Sequence, residues 1–237
     1  MNAQANNNDF SHSKYVILLA MLSATILMAA FVLSGKVITI GSHLATAAAL
    51  ILPAWFLLND VITEVYGFAF AKKLFWFTML CLFVFCLLTA SLIHLNSPSN
   101  WTGNQSYQLV LGKMIYYFFI GFIAFIVSGL VNIYLVSKYK VLTNGRYFWL
   151  RSLGASTIGE ALYSAIASLT VFGLAFFSPI PGASFAKAIN VMITVYLIKV
   201  MYTIAFSWIA YILAIILKKA ENIDVYAKAS NFNPFKF

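Results

Sequence analysis

Long apolar segments separated by short polar ones dominate this chain. Crossing a bilayer as a helix takes about 20 predominantly apolar residues. Six segments meet that requirement, at roughly residues 15–35, 44–66, 74–95, 114–137, 154–177 and 188–217. This pattern predicts an all-α integral membrane protein with six transmembrane helices.

The polar segments at the two ends complete the predicted organisation. Residues 1–13 are polar and are expected to form a disordered cytoplasmic N-terminus, followed by a single six-helix transmembrane domain over 14–219. Residues 220–237 are expected to form a cytoplasmic C-terminal tail. The first apolar segment is longer than the 7–15 residues typical of a signal peptide, so we interpret it as a retained span.

Composition supports a membrane protein. Apolar residues make up 62% of the 237 residues and charged residues only 9%, against roughly a quarter in soluble domains. The net charge of +9 could suggest nucleic-acid binding, but the basic residues lie between apolar segments and form no single patch. We therefore expect the lipid bilayer, and not nucleic acid, as the partner of this chain.

Lysine and arginine are unevenly divided between the two sides that six alternating spans would define. One of these sides carries only Lys36, Lys113 and Lys187. By the positive-inside rule, the richer side is cytoplasmic and both termini lie there. That side carries eleven basic residues: Lys14, Lys72, Lys73, Lys138, Lys140, Arg146, Arg151, Lys218, Lys219, Lys228 and Lys236.

Four carboxylate or ammonium side chains fall inside the apolar segments: Asp60, Glu64, Glu160 and Lys199. A charge near the bilayer centre costs about 2.5–3.5 kcal/mol on insertion scales, and such residues commonly mark substrate or ion pathways. Asp60 and Glu64 are one helical turn apart and share a face, where their repulsion implies a cation, a donor-rich ligand or a shared proton. A small-molecule transport site is therefore expected within the membrane.

Polar ridges accompany these charges. Glu160 lies at four-residue steps from a series of serines, Asn132 belongs to a polar stripe of the fourth span, and Lys199 shares a face with Thr203. The serines of this series are Ser152, Ser156, Ser164 and Ser168. An alternative interpretation of the charged residues is purely structural: Lys199 would neutralise a carboxylate between helices, while Asp60 and Glu64 fix an interfacial loop.

Catalytic and metal motifs are absent from the sequence. It contains no HExxH, no G-x-S-x-G and no CxxC, and the two cysteines fall five apart inside one apolar segment. We therefore predict no cofactor, no metal site and no enzymatic activity. An intramembrane enzyme and a purely structural membrane protein remain as alternatives.

Several stretches resemble the queuosine-precursor transporter family. They are PAWFLLNDVITEVYGFAFAKKLFW at 53–76, RSLGASTIGE at 151–160, the lysine at Lys199, and LKKAENIDVYAKASNFNPF at 217–235. Together they extend over most of the chain. The chain departs from the family pattern at Asn132 and Tyr163, where the family commonly has aspartate.

This resemblance implies a multi-pass protein of the cell inner membrane that imports 7-cyano-7-deazaguanine, 7-aminomethyl-7-deazaguanine or queuine for tRNA modification. It also implies a fold similar to the substrate-binding components of energy-coupling-factor transporters. A vitamin-binding membrane subunit, or a transporter of another small heterocycle, is the alternative, and the oligomeric state stays open. The expected substrate-binding residues are Trp55, Asp60, Glu64, Asn132, Glu160, Tyr163 and Lys199.

Overall fold

The computed structural model describes residues 13–41, 43–98, 100–177 and 185–225, with backbone alone at 43–44, 171–177, 185–188 and 191. Helices account for most of the described chain. In order, the elements are α1 (Val16–Leu33), β1 (Val37–Ile40), β2 (His43–Thr46), α2 (Ala48–Leu92), α3 (Asn104–Leu111), α4 (Met114–Leu142), α5 (Phe148–Phe177) and α6 (Phe185–Glu221).

The first half of α2 is the central helix of the bundle. Every residue from 55 to 68 is buried, and α2 packs against α1, α4, α5 and α6. A helix that is apolar on all sides is suited to such a position. Burial of this half places Asp60 and Glu64 inside the protein, among the neighbouring helices.

Helix α2 is broken at Gly67. This residue has φ 84° and ψ 172°, which lies outside the helical region and is accessible almost only to glycine. The halves, 48–66 and 68–92, correspond to the predicted spans 44–66 and 74–95. A continuous helix of 45 residues would be about 68 Å long, more than twice the apolar thickness of a bilayer.

Four helices are long and apolar enough to cross a membrane among the described residues: Val16–Leu33, Ala48–Leu92, Asn104–Leu142 and Met192–Glu221. The chain is thus a helical, multi-pass membrane protein. Helix α5, which carries Arg151 and Glu160 among its apolar residues, is not one of the four. The count of six crossings stays a prediction.

Three short elements were not predicted. The apolar pattern predicts helices only, but β1 and β2 pair as an antiparallel hairpin, with Val37 opposite Thr46. β-Branched residues at 37–40 favour this extended backbone. The predicted span at 44–66 accordingly begins as a helix only at Ala48. The third element, α3, lies between the predicted spans 74–95 and 114–137, where no helix was predicted.

Side-chain contacts gather several helix termini at one end of the molecule, which we call the basic end. The backbone N–H groups of Lys14 and Tyr15 donate to Glu221 at the end of α6, at 3.1 and 2.8 Å. The hydroxyl of Tyr66 donates to the same carboxylate at 3.0 Å. The start of α1, the break in α2 and the end of α6 therefore meet there. Of the predicted terminal segments 1–13 and 220–237, residues 1–12 and 226–237 lie outside the described residues.

Candidate substrate-binding site

Asp60 is completely buried and is held by three neutral donors. The amide Nδ2 of Asn132 donates to Oδ1 at 2.5 Å. The hydroxyls of Ser152 and Ser156 donate to Oδ2 at 2.6 and 2.7 Å. Because these donors come from α4 and α5, the carboxylate joins three helices. A buried carboxylate needs such donors to offset its lost hydration.

Glu64, one turn closer to the basic end, is held by cations. Arg151 makes a two-pronged ion pair with its carboxylate at 2.9 and 3.1 Å. Lys218 approaches to 2.7 Å and Lys140 to 3.7 Å. Glu64 is 1% exposed, so this cluster joins α2, α4, α5 and α6 at the basic end.

The break at Gly67 frees backbone carbonyls that would otherwise accept hydrogen bonds within the helix. Lys140 Nζ donates to the carbonyl of Glu64 at 2.6 Å. The N–H of Val225, beyond the end of α6, donates to the carbonyl of Val65 at 3.3 Å. Lys140 Nζ also donates to the carbonyl of Val225 at 3.0 Å. Residues 222–225, which we call the C-terminal strap, thus provide a hydrogen-bond donor for one of the carbonyls that the break exposes.

Asp224 anchors this strap through Lys140, at 2.5 Å, and Lys218, at 3.1 Å. Partial burial acts to raise the pKa of Asp224. The hydrogen bond from Lys140 and the charges of Lys140 and Lys218 outweigh that effect and hold the pKa below its ordinary value. The strap is therefore attached by an ionised carboxylate at neutral pH.

A second buried polar group lies between α5 and α6. Thr203 donates to Oε1 of Glu160 at 2.8 Å. Lys199 is 2% exposed, lies 3.4 Å from the hydroxyl of Ser164 and stands over the ring of Tyr163 at 4.3 Å from its centroid. The two charged groups are neighbours, but the structure shows no direct ion pair between them.

Three amide or carboxylate oxygens near the centre have no hydrogen-bond partner in the described part of the chain. They are Oε2 of Glu160, Oδ1 of Asn132 and Oδ1 of Asn59, all fully enclosed by protein. Gly159 lets α4 and α5 approach closely, since a Cβ on it would lie 3.2 Å from the Cβ of Asn132. Burying an acceptor without a donor costs about 1–3 kcal/mol. These atoms are therefore candidates for contacts with a donor-bearing ligand.

The structure places Trp55, another predicted site residue, apart from these two buried groups. Trp55 lies in the aromatic core, with Phe56, Phe75 and Phe125 within 5.3–6.1 Å between ring centroids. Its indole N–H donates to Ser23 at 3.1 Å. Phe125 lies between Trp55 and Tyr163, since its ring is also 4.7 Å from that of Tyr163. The indole therefore packs against phenylalanines and offers no open stacking face.

Of the predicted site residues, Asn132 joins Asp60, while Glu160, Tyr163 and Lys199 form the second group. Glu64 belongs to the basic-end cluster, whose cationic members the sequence analysis did not assign to it. Those cations were counted only for topology, and their distance along the chain from Glu64 gave no signal of pairing. No group of three or more histidine, cysteine, aspartate or glutamate side chains suited to a metal ion occurs within the described ranges.

Helices long enough to span a membrane enclose buried carboxylates and a lysine, a combination that is typical of membrane transport proteins. The chain belongs to the family described as "Putative vitamin uptake transporter", whose model matches residues 46–213. This match includes Asp60, Asn132, Glu160 and Lys199. No curated protein and no solved structure matches the chain.

Proposed function

We propose that this chain imports a flat, donor-rich heterocycle through the Glu160 site, and that the substrate is a 7-deazaguanine precursor of queuosine. The observation that carries the proposal is the enclosed Oε2 of Glu160, which has no donor among the described residues. Family membership supports uptake of a small molecule across a membrane. The resemblance of 53–76 and 217–235 to queuosine-precursor transporters supports the finer assignment.

The chemistry of a deazaguanine fits these side chains. Its pyrimidine edge carries adjacent N–H donors, which one carboxylate can accept together. Glu160 has Oε2 free, and Oε1 can accept a second bond beside that of Thr203. Lys199 would donate to the ligand carbonyl, and the free Oδ1 of Asn132 would accept a further N–H. The ring of Tyr163, now covered by Lys199, would stack on the base once the lysine turns to the carbonyl.

The arrangement in the membrane is part of the same proposal. The basic end would face the cytoplasm, with six crossings inside 14–219 and both termini on that side of the cell inner membrane. The break at Gly67 supports counting α2 as two crossings, because each half is about the length of one span. Residues 1–13 and 220–237 would be the cytoplasmic terminal segments.

A vitamin, or another small heterocycle, is the second candidate, and the description of the family favours it. Titration calorimetry of the purified full-length chain separates the two. The ligands would be 7-cyano-7-deazaguanine, 7-aminomethyl-7-deazaguanine, queuine, guanine and a panel of vitamins. Binding of a vitamin, but of no deazaguanine, would replace the first candidate by the second.

Glu160→Gln tests the assignment of the carboxylate. Leaving the ligand's paired donors buried and unsatisfied costs about 2–5 kcal/mol, so binding should weaken by roughly thirty-fold to several thousand-fold. Asp224→Asn makes the same carboxylate-to-amide change in the C-terminal strap and should bind as the unmodified chain does.

Discrimination between ligands tests the same role of Glu160, and the comparison ligand is a hypoxanthine-type analogue that lacks the exocyclic amine. The unmodified chain should discriminate strongly against it, and Glu160→Gln much less. Full discrimination by Glu160→Gln would exclude this role.

A further inference from the structure

A cleft of about 510 Å³ lies at the basic end, between the start of α5 and the end of α6. Glu64 forms part of its wall, together with Arg146, Tyr147, Tyr211 and Lys218. Glu160 and Lys199 do not line it. This cleft is therefore separate from the proposed substrate site.

Positive charge is in excess around the cleft. Arg151, Lys218 and Lys140 share the single carboxylate of Glu64, and the two lysines also share Asp224. Arg146 lines the cleft, and its guanidinium has no ion-pair or hydrogen-bond partner within the described ranges. A ligand anion could therefore reach Arg146 and the partly exposed Lys218 together.

The outer side of the same cleft is apolar and aromatic. Tyr147 and Tyr211 are 64% and 40% exposed, and Ile215 next to them is 37% exposed. Trp149 and Leu150, which follow on α5, are 46% and 54% exposed and extend this apolar surface. Exposed apolar side chains are stable against lipid, and tyrosine and tryptophan favour the depth of the headgroups.

We propose that this cleft binds the headgroup of an anionic phospholipid, with the phosphate between Arg146 and Lys218 and the acyl chains along α5 and α6. Arginine suits a phosphate because its planar donors can make paired, charge-assisted hydrogen bonds. A free phosphate ion would use the same cations but gain nothing from the apolar side. Continuity of the basic and apolar surfaces therefore favours a lipid over a soluble anion.

The test uses the full-length chain purified in a nonionic detergent. Its apparent Tm is followed while dioleoyl phosphatidylglycerol, dioleoyl phosphatidylcholine or inorganic phosphate is added. Arg146→Gln removes the unpaired cation of the cleft. Lys73→Gln removes an exposed cation at the same end but outside the cleft, so it is the matched control.

Phosphatidylglycerol should raise the Tm of the unmodified chain, and phosphatidylcholine should not. For Arg146→Gln the half-maximal phosphatidylglycerol concentration should rise roughly five-fold, the effect of one basic residue near an anionic lipid. Lys73→Gln should behave as the unmodified chain. An equal stabilisation by phosphate alone would replace the lipid site by a soluble-anion site. An unchanged response of Arg146→Gln, or an equal loss in Lys73→Gln, would reduce the effect to diffuse surface charge and overturn the proposal.

Discussion

Asp60 and Glu64 are one turn apart on the same helix, but they have different kinds of partners. Asp60 accepts hydrogen bonds from an amide and two hydroxyls, whereas Glu64 pairs with arginine and lysine. The sequence analysis expected their repulsion to require a shared cation, ligand or proton. Separate donors for each carboxylate make sharing unnecessary, because each group is compensated by the helices that it faces.

Ser156→Ala tests the structural weight of the Asp60 group. Losing one donor to a buried carboxylate should destabilise the chain by about 1–3 kcal/mol, or roughly 2–4 °C of apparent Tm per kcal/mol. Ser137→Ala is a matched control, since the hydroxyl of Ser137 is equally enclosed but has no partner among the described residues. It should leave Tm nearly unchanged. Equal Tm losses in both variants would contradict this account of Asp60.

Asp224 gives the C-terminal strap a dependence on pH. Its pKa is lowered in the folded chain, so its stabilising contribution is complete above the ordinary aspartate pKa and is lost as pH falls through the lowered value. Amide hydrogen exchange of residues 222–225, corrected for its intrinsic pH dependence, should therefore become faster at acidic pH. In Asp224→Asn it should be fast throughout. Strap protection that is the same in both chains at neutral pH would argue against this anchor.

At the scale of the element, α2 shows what apolar periodicity can and cannot predict. Its two halves were predicted as separate spans because each is long and apolar, and the structure shows a break between them. The backbone at Gly67 was not predicted, since a single glycine among aromatic residues carries no distinct signal of a helix break. The hairpin of β1 and β2 was missed for a similar reason: its short β-branched segments lie between two much longer apolar runs.

Gly67→Ala should be strongly unfavourable. A Cβ there would lie 2.8 Å from Cγ1 of Val225, in a backbone conformation that costs a non-glycine residue about 1–3 kcal/mol. Gly154→Ala is the control, because no atom lies within 4 Å of its added Cβ and alanine favours the helix by up to about 1 kcal/mol. Thermal unfolding should show a lower Tm for the first variant and an unchanged or higher Tm for the second. The opposite order would contradict the break in α2.

At the scale of the whole molecule, topology can be tested directly. Reporter fusions after Lys36 and Trp101 should indicate the outer side of the membrane, and fusions after Lys73 and Gly145 the cytoplasm, because basic residues favour the inner side. Two positions on each side make the assignment internally controlled. A reproducible reversal at any of the four would disprove the six-crossing arrangement.

The sequence could predict which charged residues are candidates for a site better than it could predict their contacts. Charges inside apolar segments singled out Asp60, Glu160 and Lys199, which the structure buries, because their insertion cost is a property of the segment itself. The hydrogen-bond and ion-pair partners of these residues could not be predicted in this way. The serine ridge was recognised on α5, but its register against Asp60 depends on how α2, α4 and α5 pack. Trp55 was predicted to contact the ligand because it is close in sequence to Asp60, but its ring packs among phenylalanines.

The burial of the first half of α2 has a consequence for how the bilayer can influence the protein. Residues 55–68 contact other helices and not lipid, so a mismatch between bilayer thickness and helix length cannot act on them directly. Tilting or sliding forced on α4 and α5 by a thinner membrane reaches this half of α2 through packing and through the polar contacts of its two carboxylates. Asp60 is bonded to Asn132, Ser152 and Ser156, and Glu64 is paired with Lys140 and Arg151. Lipid thickness is therefore coupled to the centre of the protein through both buried carboxylates.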